Sequence, residues 1–208
     1  MKNALIVTSS AQAEASVSSR LAREFEARLR TLHPGIAVVR RDVGAEPVPH
    51  LTAATVTAIR GEPATAAEAA ARALSDALIG ELQAADLVVI ASPMYNFGMS
   101  STLKAWFDHV LRAGATFRYT EAGPEGLLKD KKAVVIESRG GLYSEGDAAA
   151  MDGQEPHIRT LLGFMGVEDV VFVRAESLAF GADAAQASIA GAGQRLDRLA
   201  DRALPLAA

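Results

Sequence analysis

Short, continuous runs of Val, Ile, Leu and Ala alternate with long segments of helical periodicity, and this alternation constrains the fold more than any other feature of the chain. The runs cover residues 4–7, 36–39, 87–91, 133–136 and 170–173. They are apolar at consecutive positions rather than at every second one, the pattern of strands covered on both faces, as in a parallel sheet. The run at 36–39 is the weakest and leads into Arg40 and Arg41, which predicts an edge strand. Residues 18–32, 65–83, 100–111, 156–164 and 182–204 read as helices. Leu21, Phe25, Leu29 and Leu32 fall at helical spacing in the first of these, and His33-Pro34-Gly35 ends it. Five strands interleaved with five helices and joined by right-handed crossovers predict an α/β fold. The expected form is a doubly wound, five-stranded parallel sheet in the order 2-1-3-4-5, with helices on both faces. Two segments break the rhythm: 44–63 holds a short helix between proline-containing loops, and 115–131 reads as a hairpin-like excursion before the fourth strand. No repeat or linker divides the 208 residues, so one domain is expected over 1–208.

Composition excludes several chemistries. With 25 acidic against 21 basic residues the net charge is −4, and no Lys/Arg stripe is available to neutralise a nucleic-acid backbone. The absence of cysteine removes disulfides, thiolate metal sites and a cysteine nucleophile. His33, His50, His109 and His157 are scattered, which gives a metal site little support. No apolar run reaches the roughly 18 residues that span a bilayer. The N-terminus lacks a signal-peptide pattern, so a soluble cytoplasmic protein is expected.

Ligands of open parallel sheets bind beyond the carboxyl ends of the strands, where the winding reverses. Here that point lies between the first and third strands, with the fourth beside it. The loops after these three should be chemically unusual, and those after the second and fifth bland. Residues 8–19 contain five serines, Ser9, Ser10, Ser16, Ser18 and Ser19, and no Lys or Arg. Hydroxyls and free amides at a helix start can hold a phosphate without a basic side chain, although an ordinary capped helix reads the same way. The loop lacks the glycines of a P-loop or a dinucleotide fingerprint. After the third strand, Pro93, Met94, Tyr95, Asn96 and Phe97 offer a platform for a flat ring, or else aromatics folded back on the core. After the fourth, Ser138, Arg139, Gly140 and Gly141 permit close backbone approach. Phosphate, flat ring and ring edge together describe flavin mononucleotide (FMN). The Gly140 and Gly141 N–H groups are candidate donors to the ring edge, where negative charge develops on reduction. Elsewhere, Asp108-His109 reads as a helix-surface pair, 145–155 as a solvated loop, and Trp106 with Phe107 as core.

Pro93-Met94-Tyr95-Asn96-Phe97, followed by Leu103-Lys104-Ala105-Trp106-Phe107-Asp108, resembles the flavodoxin-like NAD(P)H:quinone oxidoreductases, and within them the bacterial FMN-dependent NADH-azoreductase family. Ser9-Ser10 with Ser16-Val17-Ser18, the excursion from Gly114 to Gly126, Ser138-Arg139-Gly140-Gly141 and Leu162-Gly163-Phe164-Met165-Gly166 are similar to that family in one register. The resemblance implies a flavodoxin-like homodimer with one FMN per subunit and the active site at the interface. It implies ping-pong reduction of quinones and azo compounds by NADH or NADPH, with hydride passing through flavin N5. By position, Ser10, Ser16, Val17 and Ser18 would hold the phosphate and ribityl chain. Pro93, Met94, Tyr95, Asn96 and Phe97 would run along the isoalloxazine, and Ser138, Arg139, Gly140 and Gly141 would meet its pyrimidine edge. No side chain is assigned as general acid; Asn96, Phe117, Tyr119 and Tyr143 are candidate substrate contacts. The chain departs from the family at Val17, where glutamine is common, near Tyr143, where histidine is frequent, and near Leu161, where an aromatic is usual. The changes at Tyr143 and Leu161 bear on substrate range more than on cofactor identity. The alternative is a flavodoxin-type electron carrier without turnover of its own.

Overall fold

The computed structural model describes residues 1–202. In chain order the elements are β1 (Asn3–Thr8), α1 (Val17–Leu32), β2 (Ala37–Asp42), α2 (Ala53–Arg60), α3 (Ala66–Ala84), β3 (Leu87–Pro93), α4 (Ser101–Val110), β4 (Phe117–Thr120), β5 (Gly123–Gly126), β6 (Lys132–Ser138), α5 (Glu155–Phe164), β7 (Asp169–Ala175) and α6 (Ala182–Arg202). Five strands form one parallel sheet in the order β2-β1-β3-β6-β7, the predicted order once the β4-β5 hairpin is set aside. Residues 203 and 204 of the expected last helix lie outside the described residues.

The continuous apolar runs arise because successive strand residues enter different cores. Leu5 and Val7 of β1 join Val88, Ile90 and Val135 against Leu78 and Leu82 of α3, Trp106 and Phe107 of α4, and Ile158 and Leu162 of α5. Ala4 and Ile6 join Val89, Ala91, Val134 and Ile136 against Leu21, Phe25 and Leu29 of α1 and Ala192, Leu196 and Ala200 of α6. Each large aliphatic side chain buried this way contributes about 1.5–3 kcal/mol.

Four expectations change. The second strand runs on through Arg40, Arg41 and Asp42. Its charges are met where they stand: Glu26 of α1 takes Arg30 and Arg40, and Glu81 of α3 takes Arg41. These guanidinium partners hold the nearly buried Glu26 carboxyl below its ordinary range against the opposing effect of burial, which is the largest single influence. The fourth strand continues through Glu137, a fully buried carboxyl. His109 is not on the surface but buried on α4, with Nε2 2.9 Å from the Pro49 carbonyl. The acidic stretch 145–155 is a solvated loop only in its first part: Glu145, Asp147 and Met151 are exposed, but Asp152, Gln154 and Glu155 enter a buried charge network.

The excursion is an antiparallel hairpin, β4 with β5. It docks through two glycines, since a β-carbon on Gly126 would lie 2.2 Å from the Gly166 nitrogen, and Gly166 has φ +96°. The Leu128 N–H donates to the Met165 carbonyl at 2.8 Å beside this crossing. Among the described residues no helix is long and apolar enough to cross a membrane.

Candidate functional site

The carboxyl ends of β1, β3, β6 and β7 converge on a cavity of about 310 Å³. Ser10, Gln12, Ser16 and Val17 line it from after β1, Pro93, Met94 and Tyr95 from the end of β3, and Ser138, Arg139 and Gly140 from the end of β6. Leu178 and Ala179, after β7, complete the wall. The expectation of bland loops after the second and fifth strands is therefore corrected. The loop after β7 pairs with the diglycine, Ser177 N–H donating to the Gly141 carbonyl and Ala179 N–H to that of Gly140, each at 2.9 Å. After β2, Gly44 packs against the Ser10 backbone, leaving no room for a β-carbon. Neither contact has a local sequence signal beyond a glycine in a loop.

The first loop ends at Ser16, whose Oγ accepts the Ser19 N–H and caps α1. The N–H groups of Val17 and Ser18 find no acceptor among the described residues, leaving two free donors at the positive end of a helix. Ser18 itself is buried, its Oγ 3.3 Å from that of Ser16. The Tyr95 hydroxyl ties this loop to the next. It accepts the Ala11 N–H at 3.0 Å and lies 3.2 Å from Ser10 Oγ, which in turn accepts the Gln12 N–H.

The second loop is a tight turn in which the Tyr95 and Gly98 N–H groups donate to each other's carbonyls at 2.8 and 3.1 Å. Its central residues have positive φ, +47° at Asn96 and +70° at Phe97, the geometry of a type I′ turn. Such turns favour glycine, and a bulky residue there costs about 1–2 kcal/mol. The turn is braced by the Gly153 N–H, which donates to the Phe97 carbonyl at 2.9 Å. The Phe97 ring stays 48 % exposed and meets the Tyr143 ring edge-on at 6.0 Å. Asn96 and Phe97, like Ser18 and Gly141, fall outside the cavity lining.

In the third loop the N–H groups of Gly140 and Gly141 also have no acceptor among the described residues. A β-carbon on Gly140 would meet only Ala179 Cβ, at 3.7 Å, whereas one on Gly141 would lie 3.0 Å from the Tyr143 ring. A side chain at 141 therefore meets the tyrosine first. The Met94 N–H donates to the Ser138 carbonyl at 2.8 Å, setting the second and third loops in register. Arg139 contributes to the lining, but its guanidinium is fully buried among Glu137, Asp152, Gln154 and Glu176. Burial pushes the Glu137 carboxyl up to about 8, Arg139 opposing the shift and Glu155 and Asp152 reinforcing it.

Of the remaining candidates, Phe117 is buried edge-on against Phe164 at 4.6 Å. Tyr119 is 74 % exposed on the hairpin. A larger cavity of about 520 Å³ lies between α1 and β2 and shares Ser10. Its Arg30 and Arg40 are taken up by Glu26, and none of the second or third loop reaches it.

The free Val17 amide at a helix start, the Tyr95 ring and the free Gly140 amide on one cavity fit the phosphate, flat ring and polar ring edge of FMN. A parallel α/β sheet with these groups gathered at the ends of its central strands is that of a mononucleotide-binding protein. The chain belongs to the flavodoxin-like fold family, whose model matches residues 2–200. It is 57 % identical over 200 residues to the FMN-dependent NADH:quinone oxidoreductase of Hyphomonas neptunium, with 96 % of each chain covered. It is 48 % identical over 205 residues to the enzyme of the same name from Azotobacter vinelandii, covering 96 % of this chain and all of that one. The crystal structure of an azoreductase from Bacillus anthracis superposes with a TM-score of 0.89 at 30 % identity, covering 97 % of this chain and 100 % of the other.

Proposed function

We propose that this protein is an FMN-dependent NADH:quinone oxidoreductase that also reduces azo compounds. Relatives carrying that activity in their names match nearly the whole chain. The observation that carries the reading in this molecule is the meeting of Ser10, Tyr95 and Gly140, far apart in sequence, on one cavity. The reading takes the sheet as doubly wound, reversing between β1 and β3, with a single domain spanning the chain.

When bound, FMN supplies two-electron hydride chemistry through N5 of its ring. The protein's task is to bind, orient and shield. The free Val17 and Ser18 amides, with Ser10 and Ser16, hold the phosphate and ribityl end by hydrogen bonds and helix polarity rather than by a cation. Pro93, Met94 and Tyr95 support the flat ring, and Asn96 and Phe97 extend that shelf. Ser138 and Gly140 would meet its polar edge, where the free Gly140 N–H is the donor available to an anionic ring edge. Gly141 and the Arg139 main chain hold that edge in place. Phe97 and Tyr143 would wall the face on which donor and acceptor bind in turn, the arrangement that a ping-pong order requires. The product takes its proton from water, and no side chain is needed as general acid. A homodimer, with Phe117 seating the hairpin and exposed Tyr119 presented to a partner subunit, and a cytoplasmic location complete the reading.

The purified protein should be yellow with flavin absorption bands, bleach on anaerobic addition of NADH, and recolour with menadione. Oxidation of NADH at background rate by an FMN-loaded protein would leave only the electron-carrier alternative. Failure to take up added FMN would end both.

A further inference from the structure

The charged cluster below the diglycine plays no part in the reading above. Arg139 Nη2 lies 2.7 Å from Glu137, 3.0 Å from Asp152 and 4.0 Å from Glu155, and its Nη1 lies 3.2 Å from Glu176. Its Nε donates to Gln154 Oε1 at 3.1 Å, and Gln154 Nε2 donates onward to the carbonyl and Oγ of Ser92, just before Pro93. One guanidinium thus joins the end of β6, the entry to α5 and the exit from β7. Glu176 is the link to the site, since its carboxylate also accepts the Tyr143 N–H at 2.9 Å and the Ser144 hydroxyl. That carboxylate, anchored on Arg139, fixes the 140–144 loop.

Four carboxyls, Glu137, Asp152, Glu155 and Glu176, share three guanidiniums, those of Arg139, Arg174 and Arg159. Glu137 is the worst placed. Its side chain has no solvent contact, its Oε2 is divided between Arg139 and, at 3.7 Å, Arg174, and its buried Oε1 has no partner. Asp152 has the N–H groups of Gln154 and Glu155, Glu155 has Arg159 and Arg174, and Glu176 has the loop. The groups that face Glu137 are Arg139 just past the end of its strand, Arg174 from β7, Asp152 and Glu155 at the entry to α5, and Glu176 across Arg139.

We propose that Glu137 is a proton-bearing positioning residue for the flavin site: protonated, it leaves Arg139 to Glu176 and the 140–144 loop stays fixed; ionised, it competes for Arg139 and the loop loosens. The carboxyl gives up a proton to solvent and takes it back, and no other bond changes. The isolation that burial imposes places this switch near neutral to mildly alkaline conditions. The consequence for FMN rests on the reading under Proposed function; the consequence for the loop does not.

Two measurements separate them, made on the full chain and on Glu137→Gln between about pH 7 and 9. Amide hydrogen exchange of the flavin-free protein, corrected for intrinsic rate, reads the loop, and fluorescence titration with FMN reads the site. In the parent, protection of the Tyr143 N–H falls and the FMN dissociation constant rises about tenfold over that range, as expected when one proton controls the competent state. In Glu137→Gln both profiles are flat. Glu176→Gln, which breaks the link while keeping the side chain's size, shows a loosened loop already at the lower pH and no further slope. A flat parent profile, or the parent's slope persisting in either variant, overturns the proposal. A parent that binds no FMN at any pH removes the flavin reading, while the exchange profile still decides the role of Glu137. A residue that merely supported the fold would shift melting temperature without changing either slope.

Discussion

A β-carbon on Gly44 would lie 2.2 Å from the Ser10 carbonyl oxygen, so the turn after β2 packs backbone to backbone on the loop that starts the candidate phosphate site. Nothing flexible stands between them, since the three nearest atoms all belong to the Ser10 main chain. Gly44→Ala must displace the Ser10 main chain, and with it the Ser10 hydroxyl that meets Tyr95. Overpacking of this kind costs about 1–3 kcal/mol, and FMN affinity should fall at least about tenfold. Gly35→Ala, where a β-carbon meets nothing within 4 Å, should leave both unchanged. Thermal melts with fluorescence titration check the pair.

Phe97 holds a left-handed conformation with its ring half in solvent. Phe97→Gly relieves backbone strain but gives the unfolded chain more freedom, effects of opposite sign and each about 1 kcal/mol. Stability should therefore barely move. If the ring serves the acceptor, kcat/KM for a quinone should fall about fivefold, the worth of one aromatic contact. A variant that loses stability and keeps its activity would mark Phe97 as a packing residue instead.

The Glu137 carboxyl keeps its proton up to about 8 in the fold, against an ordinary value of 4.5. Between these values the native state binds a proton that the unfolded chain has lost, so stability declines as pH rises through that window and levels off above it. Below about pH 4.5 the penalty is absent. Glu137→Gln removes the titration, so its stability relative to the parent should grow from acidic to mildly alkaline pH by an amount on the order of a few kcal/mol. Chemical denaturation at pH 5 and pH 8 reads the difference directly.

The Gly126–Gly166 crossing predicts a separate failure. Gly126→Ala places a methyl 2.2 Å from the Gly166 nitrogen and must lift the hairpin from the end of α5. The Leu128 N–H bond to Met165 is lost with it, at a total of about 2–3 kcal/mol. Limited proteolysis should then cut between Thr120 and Gly123. If exposed Tyr119 serves a homodimer, the variant's elution volume should also shift toward the monomer.

Much of the fold was legible because buried parallel strands and amphipathic helices write their burial directly into residue order. The limits of β2 and β6 were not. Arg40, Arg41 and Glu137 read as strand ends by local polarity, yet Arg40 and Arg41 find their counter-charges on α1 and α3, and Glu137 is shared between Arg139, two residues on, and Arg174 of β7. His109 looked like a surface residue for the same reason, since its acceptor, the Pro49 carbonyl, lies 60 residues away.

The sequence by itself determined the strand order, the helix starts and the three segments with the chemistry to meet a flavin, because periodicity, capping and glycine placement act over a few residues. Only the tertiary structure decided that Leu178 and Ala179 close the cavity, that Gly44 supports Ser10, that Tyr143 covers Gly141, and that Arg139 turns inward to a ring of carboxyls. Those outcomes depend on which backbone comes within a few ångströms of which, and on where water is excluded. Long-range packing sets both quantities, and no local pattern records them.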